Sequence, residues 1–321
     1  METNPRGSVG HASTRRRRKQ RRRLVALSVG LGLTLATLLL VAFVFPPSFL
    51  SSSEQSRPSV SSGEPVPVIE EEPEVRIAIA GDTGLRNEAE YRTARRMELE
   101  SEDDPYDALI LLGDIIYPDG DSDLTRESVT IPFAKILEDA TVLPALGNHD
   151  VQSDEEDEIL AELGRDNEWY VEQVGPVRVI TLDSNQVRNQ RQLAWLREVL
   201  AEEEPPDTWT IASMHHPAYS AGEHGSTRSV QDLWVPLFEE ADVPLVLAGH
   251  DHDYQRSAPI NDITYVISGG GSKLRETGSE DFTEVSESVF HFVDLLVYDD
   301  RLEGRAIDHD GNLVDEFTIK R

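Results

Sequence analysis

The chain has 321 residues, 38% of them hydrophobic, and 60 acidic against 30 basic side chains, for a net charge of −30. That is enough apolar material to bury the core of one large domain or two ordinary ones, and it excludes a disordered acidic tail. The charge is unevenly placed: residues 1–45 hold nine bases and one acid, leaving 21 bases against 59 acids, a balance of −38, in the rest. A surface of that sign repels phosphate backbones, so no nucleic-acid partner is expected. Cysteine is absent, which removes disulfides and thiolate metal sites and leaves oxygen and imidazole as the donors for any metal. Only four of the 30 bases are lysine, a bias that fits either salt adaptation or GC-rich coding.

In chain order, the first element is the block RRRRKQRRR at 15–23, directly before 22 uncharged residues, LVALSVGLGLTLATLLLVAFVF, at 24–45. As a helix that run reaches about 33 Å, enough to cross the core of a bilayer. The arginine block marks its cytoplasmic end, so residues 1–23 are expected inside and everything after Phe45 outside. A cleaved signal peptide, with secretion, is the alternative; the run is longer than the usual apolar stretch and lacks a small-residue cleavage site, which favours an uncleaved anchor. Residues 46–74 are rich in Ser, Pro and Glu and read as a flexible, solvated linker. From 75 to 321 strand-like apolar runs alternate with helical stretches such as QRQLAWLREVLAEEE (190–204), the grammar of a single α/β domain.

Five of the strand-like runs end alike: VRIAIA-GD at Asp82, DALILL-GD at Asp114, TVLPAL-GNHD at Asn148 and His149, TWTIASM-HHP at His215 and His216, and VPLVLA-GH at His250. Open α/β sheets collect ligands beyond the carboxyl ends of their strands, so these endings are expected to converge on one rim. Six of nine histidines (149, 215, 216, 224, 250, 252) lie in or beside them, a clustering that points to a metal site. In an extended segment His250 and His252 would face the same side with Asp251 turned away. Two imidazoles so close suit a pair of ions, and ion pairs about 3.5–4 Å apart clamp phosphoryl groups.

These residues resemble the calcineurin-like metallophosphoesterases, and within them the purple acid phosphatases, in the small tartrate-resistant-type form. The resemblance runs over 75–321 and rests on GDTG (81–84), GDIIY (113–117), GNHD (147–150), HHPAYSAGEHG (215–225) and GHDH (249–252), with LDSN (182–185) and SGGGS (268–272) as weaker echoes. It implies a four-layer αββα sandwich: two packed mixed sheets flanked by helices. It also implies two metal ions, one held by Asp82, Tyr117 and His252, the other by Asn148, His215 and His250, with Asp114 bridging. The wider superfamily usually has D-x-H at its first motif; here Asp82-Thr83-Gly84 lacks that histidine, while Tyr117 supplies a ligand three residues after Asp114. Hard oxygen donors at the first site suit Fe³⁺, and the second suits Fe²⁺, Zn²⁺ or Mn²⁺.

The activity so implied is hydrolysis of small phosphate monoesters by in-line attack of a metal-bound hydroxide. His149 is expected to give the leaving alcohol its proton or to bind the phosphate, with Asp150 orienting that imidazole. His224 is expected over the metals, and His216 either lines the pocket or packs. His291 and His309 read as structural, and the acidic run at 153–163 as a solvated face. The alternatives are phosphodiester or nucleotide hydrolysis with Mn²⁺ or Zn²⁺ and, more remotely, a non-catalytic surface binding protein. Oligomeric state is not legible.

Overall fold

The computed structural model describes residues 64–321. The arginine block, the expected anchor at 24–45 and most of the expected linker lie outside the described residues. Among the described residues, no helix is long and apolar enough to cross a membrane.

Among the described residues, fourteen strands, β1 to β14 in chain order, form two seven-stranded sheets. The first runs β1 (Glu64–Pro65), β14 (Asn312–Lys320), β13 (Arg301–Asp308), β12 (His291–Val297), β2 (Val75–Ala80), β3 (Ala108–Leu111), β4 (Thr141–Pro144). The second runs β11 (Thr283–Glu287), β9 (Tyr254–Ser257), β10 (Thr264–Ser268), β8 (Leu245–Ala248), β7 (Trp209–Ser213), β6 (Val177–Thr181), β5 (Tyr170–Val174). Both sheets are mixed. β2, β3 and β4 are parallel, as are β6, β7, β8 and β10, while the flanking strands pair antiparallel.

The two-residue period of each strand divides the core. On β2, Ile77 and Ile79 point between the sheets and Ala78 and Ala80 point outward; on β8, Leu245 and Leu247 point inward and Val246 and Ala248 outward. Strands buried on both faces read as unbroken apolar runs, which is why the five endings stood out. Helices close the outer faces. α1 (Glu88–Glu100) sends Ala94 and Met97 to the first sheet, and α3 (Gln190–Leu200) and α4 (Val235–Glu240) send Leu193, Leu196 and Phe238 to the second. The expected αββα layering is what the three apolar clusters describe. Each fully buried Leu, Ile or Phe among them contributes about 1.5–3 kcal/mol.

Local sequence sets the helix limits. Asn87 caps α1 by accepting the Glu90 N–H at 3.0 Å, and Asn189 caps α3 by accepting the Arg191 N–H at 3.0 Å. α3 stops at Leu200, four residues short of the periodic pattern, because Glu202, Glu203 and Glu204 oppose the negative end of the helix and Pro205 follows. The acidic run folds in part as α2 (Glu156–Glu162), burying Ile159 and Leu160.

The boundary at Val75 moves. Residues 64–74, expected in the linker, lie on the first sheet: β1 pairs with β14, Arg305 Nη1 donates to Pro67 O at 2.9 Å, and Arg301 Nη2 meets Glu71 Oε2 at 2.8 Å. Composition marks this stretch as soluble chain, but the open edge of β14 offers unpaired backbone that a passing segment satisfies.

Candidate metal centre

β2, β3, β4, β7 and β8 all end on the same side, and the loops that follow carry Asp82, Asp114, Asn148, His215 and His250. The chain turns sharply there: Asp82, Asp114 and His250 have φ of 56°, 51° and 74°. His250 and His252 therefore do not sit on an extended segment. β8 stops at Ala248, and the Asp251 and Asp253 N–H groups donate back to the carbonyls of Gly249 and Asp251, both at 2.9 Å. Steric room matters as much as turning. A Cβ on Gly147 would lie 2.1 Å from Asp114 Oδ1, so only glycine lets Asn148 approach Asp114.

The seven expected donors meet in two groups. In the first, the Tyr117 hydroxyl donates to Asp82 Oδ1 at 3.1 Å and lies 3.2 Å from His252 Nε2, which is itself 3.3 Å from Asp82 Oδ1. In the second, His215 Nε2 lies 3.2 Å from Asn148 Oδ1 and 3.1 Å from His250 Nδ1. Asp114 stands between them: its Oδ2 is 3.5 Å from His215 Nε2, and Asp82, Asp114 and His215 each offer an atom within 4.8 Å of the others. His215 Nδ1 donates to Leu112 O at 2.8 Å, which leaves the Nε2 lone pair facing the centre.

The electrostatics call for cations. Asp82 and Asp114 are buried, and among the described residues no Lys or Arg bonds either carboxylate. Burial pushes the Asp82 carboxyl well above its usual range, and the Tyr117 phenol likewise, with Asp82 and Asp114 adding to the latter. Burial also depresses the histidines, His250 strongly and His252 to about 4. Protein alone thus favours the uncharged forms of Asp82, Tyr117, His250 and His252, whereas bound cations favour carboxylate, phenolate and neutral imidazole together. Three hard oxygens on one side and two imidazoles with an amide on the other fit two ions of different hardness.

The flanking residues follow the sequence less closely. His149 reaches the centre, with Nε2 3.9 Å from Asp114 Oδ2, but its Nδ1 donates to Pro118 O at 2.6 Å. The expected Asp150–His149 pair is therefore corrected. Asp150, fully buried, accepts the N–H groups of Gly147 at 2.7 Å, Ile116 at 2.9 Å and Ile115 at 3.3 Å, clamping two donor loops together. A side chain one residue from His149 points to the opposite face of the turn. His224 lies over the centre, its ring 4.3 Å from that of His250. His216 lines it, 4.5 Å from the His250 ring, with Nδ1 held by Ser184 Oγ at 2.8 Å and burial lowering its pKa to about 3.

Three supports escaped the sequence reading. Ser184 and Asn185, in the LDSN echo, hold His216 and the Leu146 carbonyl, and Arg275 Nη1 lies 2.7 Å from His224 Nε2. The basic pair Lys273 and Arg275 in so acidic a chain was the available signal. His291 and His309 pack away from the centre, against Tyr254 and Phe290.

The profile of the family described as calcineurin-like phosphoesterase matches residues 75–254, which includes all seven donors. The chain belongs to that family. Among relatives of this calcineurin-like phosphoesterase, purple acid phosphatase 4 of Arabidopsis thaliana is 25% identical over 225 residues, 60% of this chain and 66% of that protein. Several other relatives, purple acid phosphatase 3 of Arabidopsis thaliana among them, are matched over only 21–25% of their own length. Two solved structures share the fold. A purple acid phosphatase from yellow lupin (Lupinus luteus) seeds has a TM-score of 0.67 at 20% identity over 79% of this chain and 55% of its own. Plasmodium GAP50, described as the anchor in the inner membrane complex, has a TM-score of 0.69 at 15% identity over 78% of this chain and 89% of its own.

Proposed function

We propose that this calcineurin-like phosphoesterase is a dinuclear-metal phosphatase of purple acid phosphatase type that hydrolyses small phosphate monoesters. The observation that carries the reading is the two donor groups sharing Asp114: Asp82, Tyr117 and His252 on one side, Asn148, His215 and His250 on the other. Those residues would hold Fe³⁺ in the first site and Fe²⁺, Zn²⁺ or Mn²⁺ in the second. When bound, the ions supply charge neutralisation on the phosphoryl oxygens and a more acidic attacking water. Asp82 and Asp114 set the donor charge, and Leu112 O fixes the tautomer of His215. His149, free at Nε2, gives a proton to the departing alcohol oxygen, while His216 and His224 wall the phosphoryl group and exclude water. The protein is held in a membrane by residues 24–45 with this domain outside, a reading that rests on the arginine block and the 22-residue apolar run.

Metal analysis together with the visible spectrum tests the centre. Iron with one divalent ion, and a broad visible band that disappears in Tyr117→Phe, is the expected result. Two equivalents of manganese or zinc without a tyrosine-dependent band would move the assignment to phosphodiester hydrolysis. A purified protein that binds metal but releases no phosphate would favour a binding role.

A further inference from the structure

The loop after β10 leads from the centre to its rim. It lies against Asp82 because glycine permits it: a Cβ on Gly271 would come within 2.5 Å of Gly81 O, and one on Gly269 within 2.9 Å of Asp82 Oδ2. Gly271 N–H donates to Gly81 O at 3.2 Å, and the Ser272 hydroxyl donates to the Asp82 carbonyl. Pinned there, the chain delivers Lys273 and Arg275 to the open side. The Arg275 N–H bonds His252 O at 3.0 Å, while its guanidinium reaches His224 Nε2 at 2.7 Å, so one imidazole separates it from His250. Lys273, two residues before Arg275, is exposed.

Two positive charges here run against the sign of a chain whose net charge is −30. The acid facing Arg275 is Glu223 at 3.1 Å, 64% exposed, while the Arg275 side chain is 24% exposed. A pair whose acid stands largely in solvent is weak, and a guanidinium exchanges it readily for two oxygens of a phosphate.

Building on the phosphatase reading above, we infer that Arg275 and Lys273 form a second anion site, which selects monoesters whose leaving alcohol carries another phosphate. The substrate class is a small bisphosphorylated molecule. Water oxygen bonds to the phosphorus over the centre, the P–O bond to the alcohol breaks with its electron pair going to the alcohol oxygen, and that oxygen takes a proton. The second phosphate is unaltered and leaves on the alcohol product.

The test compares kcat/KM of the metal-loaded full chain on 1,3-propanediol bisphosphate and on propyl phosphate, for the native protein, Arg275→Gln, Arg275→Lys and Lys273→Gln. Calorimetric affinity for propane-1,3-bisphosphonate against propylphosphonate is measured alongside. The native protein should prefer the bisphosphate by about tenfold, the worth of one charge-assisted contact. Arg275→Gln should abolish that preference through KM, Arg275→Lys should restore part of it, and the phosphonate affinities should follow. Equal losses on both substrates would overturn the inference by showing that Arg275 only positions His224. A native protein with no preference, or a preference untouched in both Arg275→Gln and Lys273→Gln, would overturn it too. A native protein that cleaves neither substrate yet binds the bisphosphonate in an Arg275-dependent way would overturn the phosphatase reading and leave the anion site standing.

Discussion

Asp82, Asp114 and His250 are three of the eight non-glycine residues with positive φ among the described residues. That backbone costs a residue with a side chain about 1–2 kcal/mol, and it persists because each strand must turn at once to present its donor beyond the sheet. The glycine that precedes each of them in the sequence marks the same turn. His149 shows how a neighbouring atom sets a role: Pro118 O holds Nδ1, so the nitrogen able to pass a proton is Nε2, near Asp114. His149→Ala should reduce kcat on an alkyl phosphate by about 10²–10⁴-fold and much less on p-nitrophenyl phosphate, whose leaving phenolate needs no proton. Equal losses on the two substrates would assign His149 to phosphate binding instead.

At the scale of elements, α1 carries a carboxyl that its pattern hides. The buried positions Glu90, Thr93, Ala94 and Met97 recur at helical spacing, so Glu90 faces the protein. One oxygen accepts the Arg86 N–H and the other has no partner, and burial raises the group to about 8. The folded state then holds a proton that the unfolded chain releases near pH 4.5, so stability contributed by the neutral form is present below that pH and is lost as pH rises toward 8. Glu90→Gln, which is neutral at every pH, should raise the thermal midpoint at pH 8 and change it little at pH 4. An equal shift at both pH values would show that Glu90 is not protonated in the fold. The edge strand β1 makes a related point, since a segment with loop composition became sheet when β14 offered it hydrogen bonds.

For the whole molecule, charge and topology act together. The acidic domain is repelled by anionic lipid, so the membrane attachment proposed above falls to residues 24–45 rather than to its surface. The full chain should sediment with membranes, resist high salt and alkaline carbonate, and be released by detergent. A chain beginning at residue 46 should remain soluble. Full-length protein in the soluble fraction would remove the anchor from the proposal.

The amino-acid sequence by itself determined the α/β alternation, the five strand endings and, at those endings, Asp82, Asp114, Asn148, His215 and His250. Each ending is written in adjacent residues as an apolar run, a turn, then a polar side chain, while Tyr117 and His252 were added by the family resemblance. Only the tertiary structure decided what holds the donors and what surrounds them. Asp150 bonds backbone 34 and 35 residues away, and Arg275 meets a histidine 51 residues earlier. Such contacts depend on where loops return after crossing a sheet, which is set by the packing of both sheets and not by any local pattern.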